Sequence, residues 1–116
     1  MKLLKSIKHG TTYVKVPYEY IEFVFWMLSF NYKPTTIAGT IKELVSNRKP
    51  SNPRARNAYR TYERYLVFKN DIGWKLDKEK VKEILKRIDE LNKLYIDKYG
   101  VMAIKITEEE KAMLIL

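Results

Sequence analysis

The chain has 116 residues, no cysteine and a single histidine, which makes one domain long enough to bury a core and excludes disulfides, thiolate chemistry and histidine clusters for metal or triad catalysis. Its 23 Lys and Arg against 14 Asp and Glu leave a net charge of +9, with 46% hydrophobic residues. A folded basic domain of this kind suits a polyanionic partner.

Met1 to Lys8 is charged and no long apolar run follows it, so it does not read as a signal peptide. Thr11 to Val16, rich in β-branched and aromatic residues, predicts a short strand. Pro17 then opens a helix over Tyr18–Phe30 that is apolar on nearly every side and needs cover from several directions, part of it from a second subunit. Glu19 and Glu22 interrupt it, and it falls short of the roughly 17 to 25 apolar residues of a membrane span. No membrane contact is expected, and the expected location is the cytoplasm.

Asn31 to Pro34 breaks that helix. Thr35 or Thr36 caps a second one, carried by Ile37, Ile41, Leu44 and Val45 at helical spacing. Ser46 to Pro53 reads as a long turn, and a third helix runs from Pro53 or Arg54 to about Tyr65. Leu66–Phe68, Lys69–Gly73 and Trp74–Leu76 read as strand, tight turn and strand, with Trp74 packing on the core. Asp77 caps a long helix to about Tyr99, ended by Gly100. Val101–Ile106 is a further possible strand, and Thr107 with Glu110 forms a capping box for a last short helix. The tail Val101–Leu116 either extends a dimer interface or pairs with the N-terminal strand.

The charge is local. Residues 42–69 hold eight basic and two acidic residues, whereas residues 70–116 hold ten of each. Five of the six arginines (Arg48, Arg54, Arg56, Arg60 and Arg64) fall within seventeen positions. At 100° per residue, Arg54, Arg56, Asn57, Arg60, Thr61 and Arg64 share one arc of the third helix. Ala55, Ala58, Tyr59, Tyr62 and Leu66 fill the opposite arc. Only Glu63 stands near enough to neutralise Arg60 or Arg64, unlike an ordinary solvated helix with interleaved acids. Guanidinium, amide and hydroxyl groups are the side chains that read base edges.

Three helices, a hairpin and a long helix form an order that resembles the winged helix-turn-helix family of DNA-binding proteins. The local pattern Tyr65-Leu66-Val67, a short turn and Gly73-Trp74-Lys75-Leu76 adds to the likeness. The turn between the second and third helices departs from the family in being longer than usual and lacking glycine. The resemblance implies a mainly α fold with a small β-hairpin wing and a long C-terminal dimerisation helix. Residues 1–16 form an arm, 17–76 the winged-helix domain and 77–116 the dimerising helix and tail. It implies a third helix in the major groove, with Arg56, Asn57, Arg60 and Thr61 at base edges and Arg54 and Arg64 on phosphates. Arg48 and Lys49 clamp phosphate from the preceding turn, while Lys69, Asn70 and Lys75 on the wing touch the backbone or minor groove.

Val81, Ile84, Ile88, Leu91 and Tyr95 form an apolar stripe on a helix of about 33 Å, longer than the body of a small domain, so a homodimer through that stripe is expected. Together these features predict a dimeric transcriptional regulator that binds specific double-stranded DNA without a cofactor. The alternatives are a DNA-spreading partition or nucleoid protein and an interaction module for an acidic protein. RNA binding ranks lower, since the tyrosines fall on helical core faces rather than an open sheet. Asp71, Asp77 and Glu79 near Lys78 and Lys80 lack the spacing of a nuclease site, so no enzyme is expected. His9 reads as a surface residue. The bias to Lys, Glu, Ile and Tyr without glutamine resembles that of thermophile proteins.

Overall fold

A hairpin opens the chain where the sequence suggested one strand. β1 (Ser6–His9) and β2 (Thr12–Lys15) pair antiparallel with His9 opposite Thr12. Gly10 occupies the first turn position at φ +62°, as a two-residue hairpin turn of the twisted kind requires. The computed structural model describes residues 4–47 and 49–115; the predicted phosphate clamp Arg48 lies outside the described residues. After a 3-10 turn at Tyr18–Tyr20 come α1 (Ile21–Ser29), α2 (Pro34–Ser46), α3 (Pro53–Ile72), α4 (Lys78–Tyr99), β3 (Ile104–Lys105) and α5 (Glu108–Ile115). The fold is mainly helical with one small antiparallel sheet in the order β2-β1-β3.

α1 is the centre. Six consecutive residues, Phe23 to Leu28, are buried, and α2, α3 and α4 all pack around them. Among the described residues, this chain's own helices supply the cover that the sequence reading assigned partly to a second subunit. The aromatic side chains continue the packing into α3: Phe23 meets Tyr62 edge-on and Trp26 lies against Tyr65 and Phe68. Such ring pairs add to the area they bury.

The wing does not exist at 66–76. α3 runs without a break to Ile72, so Leu66–Phe68 and Lys69–Ile72 are helix, and Trp74–Leu76 is irregular chain. Tyr62, Tyr65 and Phe68 or Lys69 recur at helical spacing and pack on α1 through Phe23, Trp26 and Glu22. That packing outweighs the β preference of a Leu-Val-Phe run. Gly73, read as part of a hairpin turn, is the left-handed residue that ends the helix, at φ 70°. Trp74 is buried on the core as expected, edge-on to Tyr65.

Three further expectations change. The proposed dimer stripe is interior: Val81, Ile84 and Ile88 are buried in the core, and Leu91 and Tyr95 pack partly against it. Val81, Ile84 and Ile88 are unavailable to a second chain because α1 already lies on α4, while Leu91 and Tyr95 line an open cleft with Leu94 and Tyr99. Neither Thr35 nor Thr36 caps α2. Lys33 stands at the cap position with Pro34 in the first turn, and no side chain caps the helix. Leu66, assigned to the inner arc of α3, is exposed.

The tail pairs with the N-terminal strand, Ile7 opposite Ile104 and Ser6 opposite Lys105. Asn92 of α4, buried, fixes this junction. Its carbonyl oxygen accepts from the backbone N–H of Ala103 and Ile104, and its amide donates to the Ile104 carbonyl at 2.9 Å. Half of the Thr107–Glu110 capping box is formed: the Thr107 hydroxyl accepts from the Glu110 N–H at 3.1 Å, while the Glu110 carboxylate accepts from that hydroxyl at 2.8 Å in place of the Thr107 backbone N–H.

Candidate nucleic-acid interface

α3 is started by Asn52, whose side chain accepts from the Ala55 N–H at 2.8 Å, followed by Pro53 in the first turn. Ala55 and Ala58 are small enough to bring the first turns of α3 close to α2, and both are buried. Tyr59 closes the junction by donating its hydroxyl to the Asn47 carbonyl at 2.7 Å, and Asn47 in turn donates to Glu43. The loop between α2 and α3 is thereby tied to both helices, which fixes the direction of the arginine face.

That face points outward. Arg54, Arg56, Asn57, Arg60 and Arg64 are exposed and Thr61 is half-buried. Among the described residues, none of the four arginines has an ion-pair partner within 4.0 Å. Arg54, Asn57 and Thr61 turn toward α2 and meet His9, Thr36, Thr40 and Lys42 around an open groove of about 480 Å³. The one carboxylate there, Glu43, is already held by the Asn47 amide at 2.7 Å. Arg56 lies on the outer flank of the same turns. Lys49 is exposed in the preceding loop.

The hairpin tip forms one wall, with His9 against Gly39 of α2. A Cβ there would lie 3.4 Å from His9 Cε1, so the imidazole rests directly against Gly39. His9 is therefore half-buried rather than a plain surface residue, and its Nδ1 has no hydrogen-bond partner. The hydroxyls in the groove are partly committed. Thr61 donates to the Asn57 carbonyl and Thr40 to the Thr36 carbonyl, each at 2.9 Å, so both face the groove as acceptors. Sequence reasoning missed His9, Thr40 and Lys42. The Gly-Thr pair between Ile7-Lys8-His9 and Thr12-Tyr13-Val14 was the signal for a hairpin that could bring His9 here.

The supposed wing residues are elsewhere. Lys69 lies fifteen residues along α3 from Arg54, about 22 Å by helical rise. It is bound to Glu22 at 2.7 Å and sits over the Tyr65 ring. Asn70 and Lys75 are exposed near that same far end. Arg60 and Arg64 also depart from the groove, lining a shallow cleft with Glu63, Val67, Phe68, Asp71 and Ile72.

Chemically, the groove and its outer flank offer guanidinium and amide donors, a lysine and hydroxyl acceptors. Those groups suit phosphates and base edges. Among the described residues, no cluster of His, Asp or Glu could hold a metal ion, and no helix is long and apolar enough to cross a membrane. Compared with family models, curated proteins and solved structures, the chain has no match.

Proposed function

We propose that the chain is a helix-turn-helix protein that binds specific double-stranded DNA and acts as a transcriptional regulator. The first three turns of α3 enter the major groove, and the β1–β2 hairpin flanks them. One observation carries this reading: Arg54, Arg56 and Arg60 project from a helix whose opposite face is docked, with no acidic partner among the described residues. Leaving charges of one sign unneutralised is costly for the isolated protein and favourable for a polyanion. Arg56 and Asn57 serve base edges, while Arg54, Lys42 and Lys49 serve phosphate. Binding to DNA of this kind releases counterions, so affinity falls with salt.

The test is selection of bound duplexes from a random pool, followed by anisotropy titrations over a range of salt. A shared sequence should emerge. Arg56→Ala or Asn57→Ala should lose about 1–3 kcal/mol on that sequence and relax the preference at one position. Lys42→Ala should weaken all sequences alike and flatten the log–log salt slope by about 0.9. A salt-insensitive complex, or no enrichment with a preference for acidic proteins, overturns the reading. Enrichment without a shared sequence and with cooperative coverage of long DNA would replace regulation by spreading.

A further inference from the structure

The character of α3 changes along its length. Its first turns carry arginines without acids, but from Arg60 onward the outward face holds Arg60, Glu63, Arg64, Val67, Asp71 and Ile72 around a shallow cleft of about 460 Å³. Val67 is 58% and Ile72 66% exposed, and the patch continues over Phe68 to Phe30 of α1, itself 48% exposed and edge-on to Phe68 at 5.2 Å. Polyanions are poorly served here, because two carboxylates and bare apolar side chains occupy the surface. An acidic protein meets the same objection. The face has an apolar centre with Arg60 and Arg64 balanced by Glu63 and Asp71, and among the described residues none of the four is ion-paired.

We propose that this half of α3 is the interface with a second copy of the chain, the two helices packing antiparallel about a two-fold axis between Val67 and Phe68. Such an interface is self-complementary by symmetry. In that register Val67 meets the partner's Phe68, and Arg64 lies opposite the partner's Asp71, once on each side of the axis. The positions 64, 67 and 71 are spaced by three and four, the spacing that keeps a stripe turned toward a facing helix. The dimer stands on this face alone. Its consequence for DNA rests on the reading above: the two Asn57 residues come about 32 Å apart along the helix pair at about 1.5 Å per residue. Half-sites one helical turn apart are spaced by roughly 34–36 Å.

Light scattering or sedimentation equilibrium on the full chain tests the interface directly. The expected mass is twice the 13.9 kDa of one chain. Val67→Glu should give single chains with an unchanged far-ultraviolet spectrum, which shows that the fold survives. Arg64→Asp or Asp71→Arg alone should raise the dimer dissociation constant by about tenfold, as contacting pairs commonly do. Both changes in one chain should restore it. Single chains at every concentration, a dimer that ignores Val67→Glu, or a swap that fails to recover would each overturn the proposal. A dimer that binds no duplex keeps the interface and removes the DNA reading; a monomer that binds a specific duplex does the reverse.

Discussion

Glu22, Tyr65 and Lys69 show how single residues decide which secondary structure α3 adopts. The Tyr65 hydroxyl donates to Glu22 at 3.0 Å and Lys69 pairs with the same carboxylate oxygen at 2.7 Å. Burial, and then the bond and the charge of Glu22, push the Tyr65 hydroxyl above its ordinary value of 10.0. A folded value above the unfolded one means that the unfolded chain releases its proton first as pH rises. This contribution to stability is therefore complete below about pH 10 and is lost as pH climbs toward the folded value. Tyr65→Phe should cost about 1 kcal/mol near neutral pH through the lost hydrogen bond, and should flatten the decline between about pH 9 and about pH 11. Urea melts across that range check it, and equal slopes for the two proteins would refute it. Asn92 has a larger expected effect, because Asn92→Ala strands three backbone groups of residues 103 and 104. A loss of about 3 kcal/mol is expected in the same melts; a loss below about 1 kcal/mol would mean that water replaces the amide. Neither residue was legible beforehand. A tyrosine or asparagine on a helix announces no partner forty or even twelve positions away.

At the scale of elements, the sequence marked those with local punctuation. Asp77 accepts from the Lys80 N–H at 2.8 Å, Gly100 ends α4 in the left-handed region and the Thr107 hydroxyl accepts from the Glu110 N–H, each as the residue types indicated. The basic arc of α3 was legible for a similar reason, since helical spacing alone gathers Arg54, Arg56 and Arg60. The far half of α3 was misread because Leu66-Val67-Phe68 favours strand locally while its burial partners lie on α1. Gly73 deepened the ambiguity, since a left-handed glycine serves a helix end as readily as a hairpin. No atom stands within 4 Å of a Cβ built there, so Gly73→Ala tests backbone conformation alone. It should cost about 1 kcal/mol, and Gly73→Asn less, because asparagine tolerates the left-handed region. Thermal melts that rank alanine and asparagine equal would show that the helix end relaxes around the substitution.

Across the whole molecule, the two ends of the chain build the wall of a groove formed by its middle. β1 lies between β2 and β3, so the hairpin that rests His9 on Gly39 is held from behind by the tail. Ile104 is fully buried with Leu4, Ile7 and Val16, and the Lys8 N–H donates to the Ala103 carbonyl at 2.7 Å. Shortening Ile104 removes the packing beneath that strand pair but touches no residue of the groove. Ile104→Ala should cost about 2–4 kcal/mol by cavity formation, and should speed hydrogen exchange at the Lys8 amide more than at amides within α2. If the hairpin flanks bound DNA, the variant should also bind its duplex more weakly with an unchanged salt slope, since no phosphate contact is lost. A slope that falls with the affinity would mean that the hairpin itself carries phosphate contacts. Full affinity with a loosened Lys8 amide would leave α3 as the sole reading element.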